Sequence, residues 1–367
     1  MNKNYYSLGL MSGTSMDGVD ASIIVSDGEK KLEIIENYYE KYDYDFKCKL
    51  REFIKNTDSL EYLEKNKTTY KQLEEQLTRT HFETSKKIIR KAKNMQIDFV
   101  GFHGQTILHQ PKKGFSIQMG NPNLLSNLLK KKIYFNFRKK DILNGGEGAP
   151  LTPIYHYLIC KTYEIKLPVI FLNLGGVANI TYIKSDKEIS SFDVGPGNCL
   201  IDQWVRENTN KDYDELGMIA AKGKIEADII KKAVENKYYL KFKQRSFDIK
   251  DFDISFVRGL NLENGAATIT EYTSRIIADK IKKFNDKDIL ILLCGGGRKN
   301  KFLLKNISKI VKNNLTNIDQ IGIDGDYIES QAFAYLAIRS YLKKNISFPS
   351  TTGTRMAVSG GEEFNNY

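Results

Sequence analysis

Four glycine-bearing turns carry small hydroxyl, amide or carboxylate side chains, and they are where this sequence could do chemistry. The first is Gly13-Thr14-Ser15-Met16-Asp17-Gly18-Val19, followed by Asp20. Glycine at each end of the turn lets the backbone bend tightly and approach a ligand closely. Backbone N–H groups in such a turn form a nest for phosphate oxygens, and Thr14 and Ser15 add hydroxyl donors. Asp17 and Asp20 offer oxygens suited to Mg²⁺ or its waters. The plainer reading of this stretch alone is a hairpin turn. The second turn, Gly175-Gly176, lies between the apolar runs VIFLNL and VANITYI. It too could meet a phosphate, or could mark a bulge or close strand packing. The third, Gly295-Gly296-Gly297 with Asn300, follows an apolar strand and precedes a helix. A base or ribose could lie there unobstructed, though a flexible connection has the same composition. The fourth is Phe192-Asp193-Val194-Gly195-Pro196-Gly197-Asn198. It holds Asp193 at a strand end, a placement suited to a general base, although taken alone the turn-capping aspartate is the plainer reading. Asn198 is positioned to cap the helix that follows.

The elements that position these turns can be read from apolar periodicity. Tyr5–Met11, Val19–Ser26 and Lys31–Tyr39 read as strands, and Phe46 to Asn94 reads as helices. Ile97–Phe102 is strand, followed by a loop at HGQT; Gly114–Met119 is strand, Asn123–Leu129 helix and Ile133–Phe137 strand. A second strand–glycine–strand unit opens near Val169, and Ile189–Asp193 is a short strand. Helices are predicted at Leu200–Glu207, Ile225–Asn236, Ala266–Phe284 and Asn300–Val311, with an amphipathic one at Tyr327–Lys343. Ile289–Cys294 is a continuous apolar strand. Alternating strands and helices predict α/β structure with covered sheets. The expected division is 1–140 and 141–367, with a boundary near Asn144–Gly148 and the helix at 328–344 packing back toward the first domain. The tail Ser359–Tyr367 reads as disordered.

Absences narrow the chemistry. The sequence has no G-x-x-x-x-G-K-[ST], no G-x-G-x-x-G and no HRD or DFG. Its four histidines make no H-E-x-x-H pair, and its four cysteines no Cys-x-x-Cys. Reduced cytosolic thiols, no signal peptide and no membrane span are expected. Lys and Arg total 56 against 45 Asp and Glu, a net charge of +11. The lysines are dispersed over helical stretches, so a solvated surface is favoured over a nucleic-acid stripe.

Two strand–glycine–strand hairpins, one in each half, plus a late strand–GGG–helix, match the layout with which the actin, hexokinase and Hsp70 ATPase fold grips ATP between two domains. The strings LGLMSGTSMDGVDAS (8–22), GFHGQTILHQP (101–111), QMGNP (118–122), GGEGAPLTP (145–153), LNLGGVANIT (172–181), FDVGPGN (192–198), CGGGRKN (294–300), DGDYIESQAFAYLAIRS (324–340) and FPSTTG (348–353) go further. They resemble the anhydro-N-acetylmuramic acid kinases from about residue 7 to about residue 355. The resemblance implies the two-domain ATPase fold with an inter-domain cleft that shuts on its ligands. It implies a cytoplasmic homodimer that serves cell-wall recycling. It implies a reaction that uses ATP, Mg²⁺ and water to convert 1,6-anhydro-N-acetylmuramic acid into N-acetylmuramic acid 6-phosphate and ADP. By the same resemblance, residues 13–20 and the glycines of the second and third turns, with Asn300, bind ATP. Asp193 is the catalytic aspartate. His103, Gln105, Arg138, Gly195, Asn198 and Glu329 surround the sugar. The segment 241–253 departs from the family pattern, and Glu147 stands where glutamine is expected. The rival readings are another sugar kinase of this fold and a non-catalytic sugar or nucleotide sensor.

Overall fold

Two sheets are built on one topology. The computed structural model describes residues 3–235, 246–284 and 288–367. In chain order the first part runs β1 (Tyr5–Ser12), β2 (Gly18–Ser26), β3 (Leu32–Lys41), α1 (Tyr44–Asn56), α2 (Leu60–Lys65), α3 (Lys67–Lys91), β4 (Phe99–Gln110), β5 (Phe115–Met119), α4 (Pro122–Leu129), β6 (Lys132–Phe135), α5 (Lys139–Leu143) and α6 (Pro153–Thr162). The middle contains β7 (Val169–Leu174), β8 (Val177–Ser185), β9 (Glu188–Pro196), α7 (Cys199–Asn208), α8 (Ala227–Glu235), α9 (Leu262–Ile281), β10 (Leu290–Cys294), α10 (Lys301–Ile310) and β11 (Leu315–Asn317). The chain ends with α11 (Ile328–Tyr341), α12 (Pro349–Thr352) and β12 (Glu362–Phe364).

One sheet has the order β12-β6-β4-β1-β2-β3, with β5 paired to β4, and the other β11-β10-β7-β8-β9. In each, three antiparallel strands are followed by two parallel additions: β4 on β1 and β6 on β4, then β10 on β7 and β11 on β10. Parallel neighbours need a long crossover, supplied by α1–α3 in the first sheet and α7–α9 in the second. The glycine turns 13–18 and 175–176 are therefore equivalent β1–β2 and β7–β8 connections.

The chain divides into Met1–Ile165 with Tyr327–Tyr367, and Lys166–Asp326. The expected boundary at Asn144–Gly148 falls inside the first unit. There the Glu147 amide donates to the Thr352 carbonyl at 2.9 Å and the Gly148 amide to Asp141 Oδ2 at 2.7 Å, which tie this loop to α12 and α5.

In the first unit, α11 lies directly on β1 and β4. A Cβ at Gly9 would come 1.8 Å from the Ser330 carbonyl, and one at Gly101 2.1 Å from that of Phe333. On its far side Gln331 accepts from the Tyr155 hydroxyl of α6 at 2.8 Å. Covered on both sides, α11 is buried from Ser330 through Ile338 rather than amphipathic. Leu73, Leu77 and Ile88 of α3 join Leu8, Leu10, Ile23 and Phe102 in one core. In the second unit Trp204 packs on α9 where Gly265 has no side chain, and its Nε1 donates to the Leu262 carbonyl at 2.9 Å.

Two further expectations are corrected. HGQT is not a loop but part of β4, in which Gly104 takes φ +71° and the pairing with β1 shifts register beyond Leu10. The tail is ordered: β12 pairs antiparallel with β6, Glu362 opposite Phe135. Of the divergent segment, residues 241–245 lie outside the described residues, as does Asn236 of the helix expected at 225–236.

Candidate functional site

In the second unit three glycine turns converge. The Gly197 and Cys199 amides donate to the Gly176 carbonyl at 2.9 and 3.1 Å, and the Asn198 amide to that of Gly175 at 2.8 Å. Asn198 does not cap α7 with its side chain; its Nδ2 crosses to the Leu174 carbonyl at 3.0 Å, locking the fourth turn onto the second. The third turn closes on both. A Cβ at Gly297 would lie 2.7 Å from Leu174 Cβ and 2.9 Å from Asn198, and one at Gly295, with φ +75°, 2.4 Å from Asn173 Oδ1. At Gly296 a Cβ would meet nothing within 4 Å, so this position faces open space. Asn300 uses Oδ1 to cap α10, accepting from the Leu303 amide at 3.0 Å.

Asp193 lies on β9 opposite Asn179, at a register shift that brings Gly195 opposite Ala178. Its Oδ2 accepts from the Phe247 amide at 2.7 Å. The Asn179 Oδ1 is buried and has no hydrogen-bond partner among the described residues. Phe247 was not a sequence candidate; its part is played by a backbone amide, which no residue type advertises.

In the first unit the 13–18 turn is held from beneath. The Ser12 Oγ donates to the Gly18 carbonyl at 2.9 Å and shares a short hydrogen bond with the Tyr42 hydroxyl. The Tyr42 amide donates to the Asp17 carbonyl at 2.9 Å. Met16 takes φ +52°, and its amide bonds the Gly13 carbonyl at 3.1 Å. Thr14 and Ser15 are exposed, and the Ser15 hydroxyl donates to Asp17 Oδ1 at 2.6 Å. Arg51 of α1 reaches the Ser15 carbonyl at 3.0 Å. Tyr42 and Arg51 escape a motif search because they lie two strands downstream, just before and within α1.

Burial pushes the Tyr42 hydroxyl pKa up; Ser12 opposes this, and the nearby charges of Asp17 and Asp20 add to it. Among the described residues no group of three or more His, Cys, Asp or Glu forms a metal cage. Magnesium bound with a nucleotide takes most of its ligands from phosphate and water, so the pair Asp17 and Asp20 fits it.

The same unit carries a polar cluster. Arg138 Nη2 and Nε lie 2.9 and 3.3 Å from His103 Nε2, and Nη1 donates to the Gly148 carbonyl at 2.8 Å. His103 Nδ1 lies 2.7 Å from the Gly104 carbonyl, which assigns the proton to Nδ1 and the acceptor role to Nε2. Burial first, and the Arg138 charge second, hold its pKa well below the usual histidine value. Glu329 opens α11 partly buried; burial raises its carboxyl pKa and Arg138 opposes the rise. Gln105 is 2% exposed, and its Oε1 has no hydrogen-bond partner among the described residues. The neutral imidazole and the guanidinium are thus fixed against each other, with the Glu329 carboxyl within the field of Arg138.

A family model described as anhydro-N-acetylmuramic acid kinase matches residues 5–366. The anhydro-N-acetylmuramic acid kinase of Pelagibacter ubique (strain HTCC1062) is 48% identical over 376 aligned residues, covering 100% of both chains. That of Zymomonas mobilis subsp. mobilis is 37% identical over 361 residues, covering 97% of this chain and 98% of its own. Among solved structures, (R)-2-hydroxyglutaryl-CoA dehydratase component A from Acidaminococcus fermentans aligns at TM-score 0.46 and 12% identity, over 92% of this chain and 100% of that one. A full-length family match and relatives this similar over their whole lengths establish that the chain belongs to the anhydro-N-acetylmuramic acid kinase family.

Proposed function

We propose that this protein is an ATP-dependent kinase that opens 1,6-anhydro-N-acetylmuramic acid with water and phosphorylates O6, yielding N-acetylmuramic acid 6-phosphate and ADP. The observation that carries this is the 48% identity over the full length of an anhydro-N-acetylmuramic acid kinase.

The residues suit the chemistry. Asp193 accepts the proton of the water that attacks C1, and its carboxylate is oriented by the Phe247 amide. As the C1–O6 bond breaks, O6 takes the γ-phosphoryl group of ATP and ADP departs. The leaving oxygen of the first step is the nucleophile of the second, so no separate acid need protonate O6. Phosphoryl transfer mainly demands alignment and charge neutralisation. The 13–18 turn and Gly175-Gly176 serve the phosphates, and Gly295–Gly297 with Asn300 the adenosine. Asp17 and Asp20 would hold Mg²⁺, which supplies neutralisation of phosphate charge when bound. His103, Gln105, Arg138, Gly195, Asn198 and Glu329 serve the sugar, and the Gln105 Oε1, which has no hydrogen-bond partner among the described residues, is matched to a sugar hydroxyl. The reading extends to a cytoplasmic homodimer engaged in peptidoglycan recycling and amino-sugar catabolism. Among the described residues no helix is long and apolar enough to cross a membrane.

Mass spectrometry of the sugar after mixing protein, Mg-ATP and anhydro-sugar in ¹⁸O-water tests the proposal. One phosphoryl group plus one labelled oxygen at C1 is expected. Phosphorylation without added water would replace it with an ordinary sugar kinase, and binding without ADP formation with a sensor.

A further inference from the structure

Arg138 is delivered by a short segment between β6 and α5, and the last strand of the chain is fastened on both sides of it. Asn136, two residues before, takes φ +57°, and its Nδ2 donates to Glu362 Oε2 at 2.6 Å. Lys139, one residue after, donates from Nζ to Glu362 Oε1 at 2.7 Å. A single carboxylate therefore brackets Arg138. The backbone reinforces this: β12 pairs with β6, and Glu363 pairs with Tyr134 and Lys132. Upstream, a Cβ at Gly360 would lie 2.9 Å from the Phe137 carbonyl, and Gly361 turns at φ +75° with a Cβ position 3.0 Å from the Phe137 ring. The tail thus presses on the residue next to Arg138 as well as on those beyond it. Held this way, the guanidinium spans His103 Nε2 and the Gly148 carbonyl.

We propose that Glu362 is a positioning residue for Arg138, so that the C-terminal strand sets the orientation in which this guanidinium meets the acidic sugar. The inference rests on the reading that Arg138 contacts the sugar. Asparagine accepts the left-handed backbone more readily than most residues, so what the Glu362 carboxylate adds is a fixed Asn136 side chain on one side of Arg138 and a fixed Lys139 on the other. Without that anchor the segment can shift, and an arginine fork tolerates little misalignment.

Steady-state kinetics on Glu362→Ala, Glu362→Gln, Glu363→Gln and Arg138→Lys provide the test. In Glu362→Ala the KM for the anhydro-sugar should rise about five-fold or more with the KM for ATP unchanged, the effect of losing roughly one net hydrogen bond. Glu362→Gln keeps the Asn136 contact, loses the ion pair with Lys139 and should show a smaller rise in the same constant. Glu363→Gln weakens the same strand without touching residues 136 and 139, and should change neither constant. An unchanged sugar KM in both folded Glu362 variants, or an equal rise in Glu363→Gln, overturns the proposal. If Glu362→Ala does not fold, Glu362→Gln decides by the same split. Arg138→Lys separates the two layers. A normal sugar KM there removes the reading beneath the inference. A raised one, beside normal Glu362 variants, leaves the reading standing and removes the clamp alone.

Discussion

His103 Nε2 accepts from Arg138 at 2.9 Å while Nδ1 faces the Gly104 carbonyl at 2.7 Å, so protonating this imidazole would set a second positive charge against the guanidinium. Burial and Arg138 hold its pKa well below the usual histidine value. Burial also lowers His81 and His109 to about 4 and His156 to about 3. All four lie in the unit formed by Met1–Ile165 and Tyr327–Tyr367, and none in Lys166–Asp326. A histidine with a depressed folded pKa binds its proton more readily when unfolded. Its contribution to stability is complete above pH 6.5 and drains away as pH falls toward the folded value. The maximum slope is about 1.4 kcal/mol per pH unit per histidine, and most carboxylates do not yet titrate above pH 5. Hydrogen exchange, corrected for intrinsic rates, should show protection falling between pH 7.5 and 5.5 mainly in the histidine-bearing unit. An equal fall in both units would contradict this.

Asp193→Asn should lose at least ~10²-fold in turnover, the usual share of a positioned general base, and still bind ATP. The asparagine Oδ1 can accept from the Phe247 amide just as the carboxylate does at 2.7 Å, so this hydrogen bond is kept while the proton acceptor is lost. Turnover is measured by ADP release and nucleotide binding by calorimetry. Near-normal turnover would remove Asp193 from the mechanism.

Gly296 and Gly297 stand side by side and should respond in opposite ways to alanine. A Cβ at Gly297 would press within 3 Å of Leu174 and Asn198, whereas one at Gly296 meets no protein atom within 4 Å. Gly297→Ala should cost about 1–3 kcal/mol of stability by overpacking. Gly296→Ala should leave the melting temperature within error and raise the KM for ATP, because the new methyl occupies the space assigned to the nucleotide. A normal KM for ATP in Gly296→Ala would mean the nucleotide does not approach that loop.

How much was legible follows from what each element depends on. β1, β2, β7 and β8 could be read because apolar runs flank a glycine turn and the signal is local. The glycine turns are legible for the same reason, whereas the backbone and side-chain bonds that lock the fourth turn onto the second are not. Asn198 looked like a helix cap because residue type and position both fit, yet the Leu174 carbonyl, 24 residues away in sequence, takes its side chain instead. Two glycine-flanked polar residues made HGQT look like a loop, when the bulge at Gly104 lets β4 carry on through it. The buried character of α11 and the pairing of β12 both arise from partners more than a hundred residues distant. No window along the chain contains them.

Arg298 is a buried charge of the second unit, and removing it should loosen that unit specifically. Its side chain is 2% exposed and meets Asp319, Asp324 and Asp326. It also donates to the Gly295 carbonyl at 3.2 Å, while the Gly295 amide donates to the Gly325 carbonyl at 3.2 Å. One guanidinium thus ties the third glycine turn to the 319–326 loop. Breaking a fully buried pair by truncating one partner typically costs 3–5 kcal/mol. Here the three carboxylates are 35–48% exposed, so water recovers part of that loss and about 2–3 kcal/mol is expected of Arg298→Ala. Lysine can satisfy one carboxylate but not the fork, so Arg298→Lys should fall between. Trp204 is the only tryptophan and belongs to this unit, so its fluorescence in urea follows the affected part alone. An unchanged Trp204 midpoint in Arg298→Ala would mean that the cluster is a surface ornament, and that the glycine turn is held by its backbone bonds without it.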